Sequence, residues 1–196
     1  MNILIDRVPN SVKINKRSYK IRTDFRTSIQ FEQLMQDDEV SDEDKLLLAL
    51  NLYYPIIPRN IKKAIKEILW FYKCGKKQEL ESSDKSSSKK QDEIFSFEYD
   101  ADYIYSAFLD QYGIDLQDID NLHWWKFKAL FKGLKDDNLI IKIIGYRSVD
   151  LNKIEDKNEK AYYKKLKEKY KLPTKANLTE QEKINEVEKM LMQNNG

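Results

Sequence analysis

The sequence holds a single His and a single Cys in 196 residues, which bounds the side-chain chemistry at the outset. His123 stands directly before Trp124 and Trp125. An imidazole there could serve as a general base, but a base needs an orienting partner and a nucleophile or substrate beside it. Gly-x-Ser-x-Gly, a phosphate-binding P-loop and Gly-x-Gly-x-x-Gly are all missing from the chain, so nothing nearby points to a reaction. A helix-start His beside an aromatic core is the simpler reading. Cys74 is a free thiol near a helix end, and its ordinary role is that of a small buried residue. One His and one Cys cannot assemble a zinc site. Asp37-Asp38-Glu39 and Asp42-Glu43-Asp44 could attract a hard cation, yet the run lacks the glycine that a calcium loop requires. A solvated acidic helix start explains it without a metal. The expectation is therefore no metal, no cofactor and no catalysis.

Binding is the other kind of chemistry to weigh. Lys164-Lys165-Leu166-Lys167-Glu168-Lys169-Tyr170-Lys171 is the most basic stretch, with Glu168 inside it and Glu155, Asp156 and Glu159 upstream. Phosphate recognition favours a face of one sign, and this face is mixed. The whole chain repeats the pattern: 35 Lys and Arg against 33 Asp and Glu leave a net +2. No nucleic-acid partner is expected. The aromatic set Trp124, Trp125, Phe127 and Phe131 is the strongest candidate for contacting another protein. At helical spacing it has two readings, a buried core face or a partner-binding surface, and exposure decides between them.

Composition removes several classes. Five Gly and four Pro exclude a collagen-like chain, and one Cys excludes a disulfide scaffold. The longest apolar runs, such as Ile140 to Ile144, are broken by charge, so no membrane span is expected. Eight Phe, twelve Tyr and three Trp are enough to bury a core of useful size. Met1-Asn2-Ile3-Leu4-Ile5 is too short for the apolar core of a signal peptide, which predicts a chain that stays in the cytosol.

The elements that would position these residues are mostly helical. Residues 12–21 alternate apolar and polar around Asn15-Lys16-Arg17-Ser18 and predict a hairpin. Thr23 or Asp24 caps a helix from Phe25 to Gln36. Ser41 caps a second, rich in leucine, which Pro55 and Pro58 end. Residues 59–73 predict a third, with Gly75 as its C-cap. Asp100 caps a helix over Ala101 to Tyr112 that Gly113 stops. Further helices are expected over 122–134, over Leu139 to Arg147 behind Asp136-Asp137-Asn138, and within 150–171. Thr179-Glu180-Gln181-Glu182 reads as a capping box for a last helix. The fold class predicted is mainly α with a short N-terminal β-hairpin.

Residues 76–93 carry one apolar side chain, Leu80, among Ser, Lys and acids, a composition that predicts a flexible linker. The expected organisation is thus an N-terminal hairpin with helices over 1–75, the linker over 76–93, a C-terminal helical half over 94–172, and a charged helix or tail over 173–196.

Two blocks of sequence carry a resemblance. The first runs from Pro9 through Tyr19, Asp24 and Phe25 to Arg26, followed by Leu69-Trp70-Phe71-Tyr72-Lys73-Cys74-Gly75. The second joins Phe95-Ser96-Phe97-Glu98-Tyr99-Asp100, Tyr112-Gly113-Ile114-Asp115-Leu116, Leu122-His123-Trp124-Trp125-Lys126-Phe127 and Arg147-Ser148-Val149-Asp150-Leu151. Together they resemble the family named after gene product fifteen of siphophages and prophages of Gram-positive bacteria, over residues 1–172. The resemblance implies a tail morphogenesis protein, because the family's gene lies between those of the major tail protein and the tape measure protein. Tail assembly chaperones typically hold that place. Such a protein would act in the host bacterial cytoplasm, keep the long helical tape measure protein soluble, and recruit tail-tube subunits. Its contact residues would be Trp124, Trp125, Phe127 and Phe131 if exposed, and the linker would let two halves engage separate places on one client. The alternatives are a minor structural tail protein of the virion and a small nucleic-acid-binding regulator. Homo-oligomerisation stays open.

Overall fold

A computed structural model describes residues 2–76 and 94–173. The expected linker, from residue 77 on, and the expected last helix lie outside the described residues. Among those described, the chain is mainly α, with seven α-helices, one short 3-10 turn and one two-stranded antiparallel hairpin. These elements gather into two compact units. Residues 2–76 and 120–129 form the first, and residues 94–119 and 130–173 form the second.

The first unit is built on three helices whose starts are written locally. Helix α1 (Phe25–Gln36) opens on Asp24, whose carboxylate accepts the Arg26 N–H at 3.1 Å. Helix α2 (Asp42–Tyr53) opens on Ser41, whose Oγ accepts from the Asp44 N–H at 3.2 Å. Asp42, Glu43 and Asp44 fill its first turn, where the free N–H groups favour negative charge. Helix α3 (Ile61–Tyr72) opens on Asn60, which accepts from the Lys63 N–H at 2.9 Å. It closes in a Schellman motif. The Cys74 N–H reaches the Phe71 carbonyl and the Gly75 N–H reaches the Trp70 carbonyl, each at 2.9 Å. Cys74, with φ 56°, therefore takes the first left-handed position, and Gly75, with φ 71°, follows it.

Strands β1 (Ser11–Ile14) and β2 (Arg17–Lys20) pair with Val12 opposite Tyr19 and Ile14 opposite Arg17. The turn is tighter than the four residues expected. Only Asn15 (φ 49°) and Lys16 (φ 66°) stand between the strands, the signature of a type I′ hairpin, whose twist suits the flanking strands. Strand β1 lies on α3 with Val12 and Ile14 buried, which supplies the support that an isolated ribbon lacks. Lys63 Nζ donates to Asn15 Oδ1 at 2.7 Å and ties the turn to that helix.

In the second unit α4 (Ala101–Tyr112) ends at Gly113 in the left-handed region, with φ 63°. Helix α6 (Leu139–Ser148) packs on both α4 and α7 (Lys157–Lys169). Two capping expectations are corrected here. Asp100 and Asn138 stand at the N-cap positions of α4 and α6, yet neither side chain caps its helix. Asp100 instead faces Arg147 and the Ser96 N–H, and Asn138 Nδ2 donates to Gln111 Oε1 at 2.8 Å. The last helix described falls within the expected 150–171. A 3-10 turn occupies Leu151–Lys153, and α7 begins after Asp156, whose carboxylate accepts the Glu159 N–H at 2.7 Å. Helix α5 (Trp124–Lys132) begins in the first unit and ends in the second.

Candidate functional site

The residues that the sequence singled out meet where the segment 120–129 joins the first unit. Its backbone is anchored next to the cap of α1. The Phe25 N–H donates to the Leu122 carbonyl at 2.9 Å and the Trp124 N–H to the Thr23 carbonyl at 2.7 Å, so that Asp24 and His123 form an antiparallel bridge. Asp24 also accepts the Leu122 N–H at 3.0 Å and pairs with the Arg26 guanidinium at 3.2 Å. One carboxylate thus caps a helix and receives a strand-like segment 98 residues away in sequence.

His123 opens α5. Its Nδ1 accepts the Trp125 N–H at 3.1 Å. That acceptor role assigns the ring proton to Nε2, which lies 2.9 Å from the Pro9 carbonyl and donates to it. Both nitrogens are engaged with backbone. Burial pushes the imidazole below its usual titration range, the bond to Pro9 partly restores it, and the Lys126 ammonium pushes it down again.

The four aromatic candidates are all buried. In the first unit Tyr72, Trp124, Phe127 and Phe25 form a continuous stack with successive centroids 5.5, 5.7 and 4.8 Å apart and interplanar angles of 17°, 12° and 10°. The Arg26 guanidinium lies 4.7 Å from the Phe25 centroid, and Lys128 Nζ lies 5.2 Å from the Trp124 ring. Each ring pair adds about 0.5–1.5 kcal/mol beyond the area it buries. The indole N–H groups are satisfied as well: Trp124 donates to the Tyr72 carbonyl at 2.9 Å and Trp125 to the Phe71 carbonyl at 2.7 Å. Both acceptors belong to the last turn of α3. Phe131 lies in the second unit, against Phe95 at 5.2 Å and Phe97 at 6.1 Å. These side chains are core in this chain, so a surface offered to a partner must be made of other residues.

Two pairs of polar side chains meet in the interior of the first unit. Tyr72 Oη donates to Glu32, and the Ser28 and Tyr53 hydroxyls lie 2.9 Å apart. Burial pushes the Tyr53 phenol far above its usual range, so it stays neutral. Among the described residues, no group of three or more His, Cys, Asp and Glu could hold a metal ion. Nor is any helix among them long and apolar enough to cross a membrane.

With this geometry in view, comparison with known proteins is specific in one respect. The model of a family described as Bacteriophage Gp15 protein matches residues 4–172. The chain belongs to that family. No curated protein and no solved structure matches it. The family match runs through both units, and the resemblance read from the two sequence blocks is thereby a membership: this is a phage protein.

The surface of this Gp15 family member carries large apolar side chains that the sequence did not single out. On α2 the run Leu46-Leu47-Leu48 cannot face one way at 3.6 residues per turn. Leu46 is buried, while Leu47 and Leu48 are 55% and 45% exposed. On the second unit Leu109 and Leu139 are 44% and 46% exposed. Gln111, near the end of α4, accepts from the Asn138 amide and the Lys135 N–H and donates to the Gly133 carbonyl, which ties that helix to the start of α6. Helical periodicity was the available signal for the α2 pair.

Proposed function

We propose that this protein is a tail assembly chaperone that binds the phage tape measure protein, and tail-tube subunits with it, in the host cytoplasm. It would act by non-covalent binding. The observation that carries this reading is membership of the phage Gp15 family across residues 4–172. A tape measure protein is a long helix with apolar stripes, and such stripes need cover until the tube closes around them. Helical partners supply cover by laying apolar side chains into an amphipathic helix. Leu109 on α4 and Leu139 on α6 are exposed aliphatic side chains of that kind, set on two helices that pack together.

Co-expression with the tape measure protein of the same phage tests the proposal. The chaperone reading expects the client to move from the insoluble to the soluble fraction and to co-elute with this chain. Leu109→Asp with Leu139→Asp should abolish rescue while leaving the helical circular dichroism unchanged. A client that stays insoluble and forms no complex with the wild-type chain would sink the reading. Mass spectrometry of purified virions adds a second check, since a chaperone is expected to be missing from them and a structural tail protein present.

A further inference from the structure

The outer face of α2 is laid out in an order that complements its own reverse. Two rows of side chains one turn apart run along it, Glu43–Leu47–Asn51 and Asp44–Leu48–Leu52. Acids stand at the N-terminal end and the exposed leucines in the middle. The C-terminal end is positive, because exposed Arg22 sits on it with Nη1 donating to the Asn51 carbonyl at 2.6 Å and the Leu52 carbonyl at 3.1 Å. The opposite face of the same helix, with Leu46, Ala49, Leu50 and Tyr53, is buried within the unit.

We propose that this face pairs with a second copy of the chain, the two α2 helices lying antiparallel about a two-fold axis that passes between Leu47 and Leu48. That axis sets position 43 of one copy opposite 52 of the other, and 44 opposite 51. Each acidic end then meets the Arg22 held at those two carbonyls, and the four leucines close over one another between the charged ends. A parallel pairing would set acids on acids and Arg22 on Arg22. The contact is isologous, so it is used up in a closed pair and does not propagate. It is one helix face wide and about 13 Å long between positions 43 and 52, a size that gives a weak, reversible dimer. The proposal is independent of the chaperone reading.

Sedimentation velocity of the full chain, from below micromolar to hundreds of micromolar at low salt, tests it. The expected result is a concentration-dependent shift to twice the chain mass. Leu47→Lys with Leu48→Lys should sediment as a monomer throughout, with unchanged helical circular dichroism. Glu43→Lys and Arg22→Glu should each weaken the dimer at least tenfold. Mixed together, these two variants should associate more tightly than either alone, because the mixed pair restores an acid opposite a base at both ends. Arg22→Glu is used once its melting curve shows it folded, and the leucine variant and Glu43→Lys stand without it. A chain that is monomeric over the whole range overturns the proposal, as does a dimer indifferent to the leucine substitutions or a mixture no tighter than its components. A monomer whose leucine variant loses client rescue would put a foreign helix on this face, and that too overturns self-pairing.

Discussion

Asp100 and Arg147 meet in the second unit as a bidentate ion pair, Nη1 to Oδ2 at 2.6 Å and Nη2 to Oδ1 at 2.8 Å, with both side chains buried. The guanidinium also donates from Nε to the Tyr170 carbonyl at 2.5 Å and from Nη1 to the Ile94 carbonyl at 3.2 Å. Asp100 accepts the Ser96 N–H at 2.9 Å. One side chain at the end of α6 thus joins the start of α4, the chain that leads into it, and the chain that leaves α7.

Removing one half of that pair should be costly. Arg147→Met leaves a carboxylate that is 1% exposed without its counter-charge, and loss of one partner of a buried pair costs about 3–5 kcal/mol. Asp100→Asn should behave similarly. Urea unfolding of both single variants and the double variant checks this: the double should lose clearly less than the sum of the singles. Additive losses would mean that the two groups are not energetically coupled.

Gly75 should resist any side chain. A Cβ there would stand 2.8 Å from Cη2 of Trp125, and the residue's φ of +71° already disfavours an L side chain. The indole is held in place, since its Nε1 is bonded to the Phe71 carbonyl and its ring contacts Trp70 and His123 edge to face, at centroid distances of 5.5 and 6.0 Å. Left-handed strain and overpacking together predict a loss of about 2–4 kcal/mol for Gly75→Ala. Thermal melting followed by tryptophan emission reads both the loss and the displaced ring. An unchanged melting temperature would refute the contact.

Lys16 offers the reverse case. It holds a left-handed φ of 66° in the second turn position of the hairpin, where glycine is the favoured residue. Lys16→Gly should raise stability by about 0.5–1 kcal/mol, the relieved strain exceeding the added freedom of the unfolded chain. Denaturant midpoints at constant m-value measure it, and a drop in midpoint would contradict the turn type.

Features set by neighbours along the chain were legible in the sequence. Asp24, Ser41 and Gly113 stop or start helices through bonds to residues two to five positions away, and the residue types announce them. Features set by distant partners were not. Asp100 has the type and position of a cap, but a guanidinium 47 residues on takes its carboxylate. Trp124 and Phe127 were legible as one aromatic face. Which way that face points depends on Tyr72 and Phe25 closing over it, and no local pattern says so. Asp156 was a readable cap hidden by the charge run that follows it.

His123, the only His in the sequence, should make the protein acid-sensitive just below neutral pH. Its folded titration midpoint is lowered from 6.5, with burial as the leading cause. Between the lowered midpoint and 6.5 the unfolded chain binds more protons than the folded one, so stability rises with pH across that window. The contribution is complete above 6.5 and is lost as pH falls through the folded midpoint. The structural reason is that a protonated Nδ1 can no longer accept the Trp125 N–H that starts α5. His123→Asn supplies an uncharged acceptor in its place. Urea unfolding at pH 7 and pH 5 should show wild type losing more stability than this variant, and the imidazole resonances should titrate below 6.5. Equal losses in the two proteins, or a midpoint at or above 6.5, would remove His123 from its place as a neutral cap between Pro9 and α5.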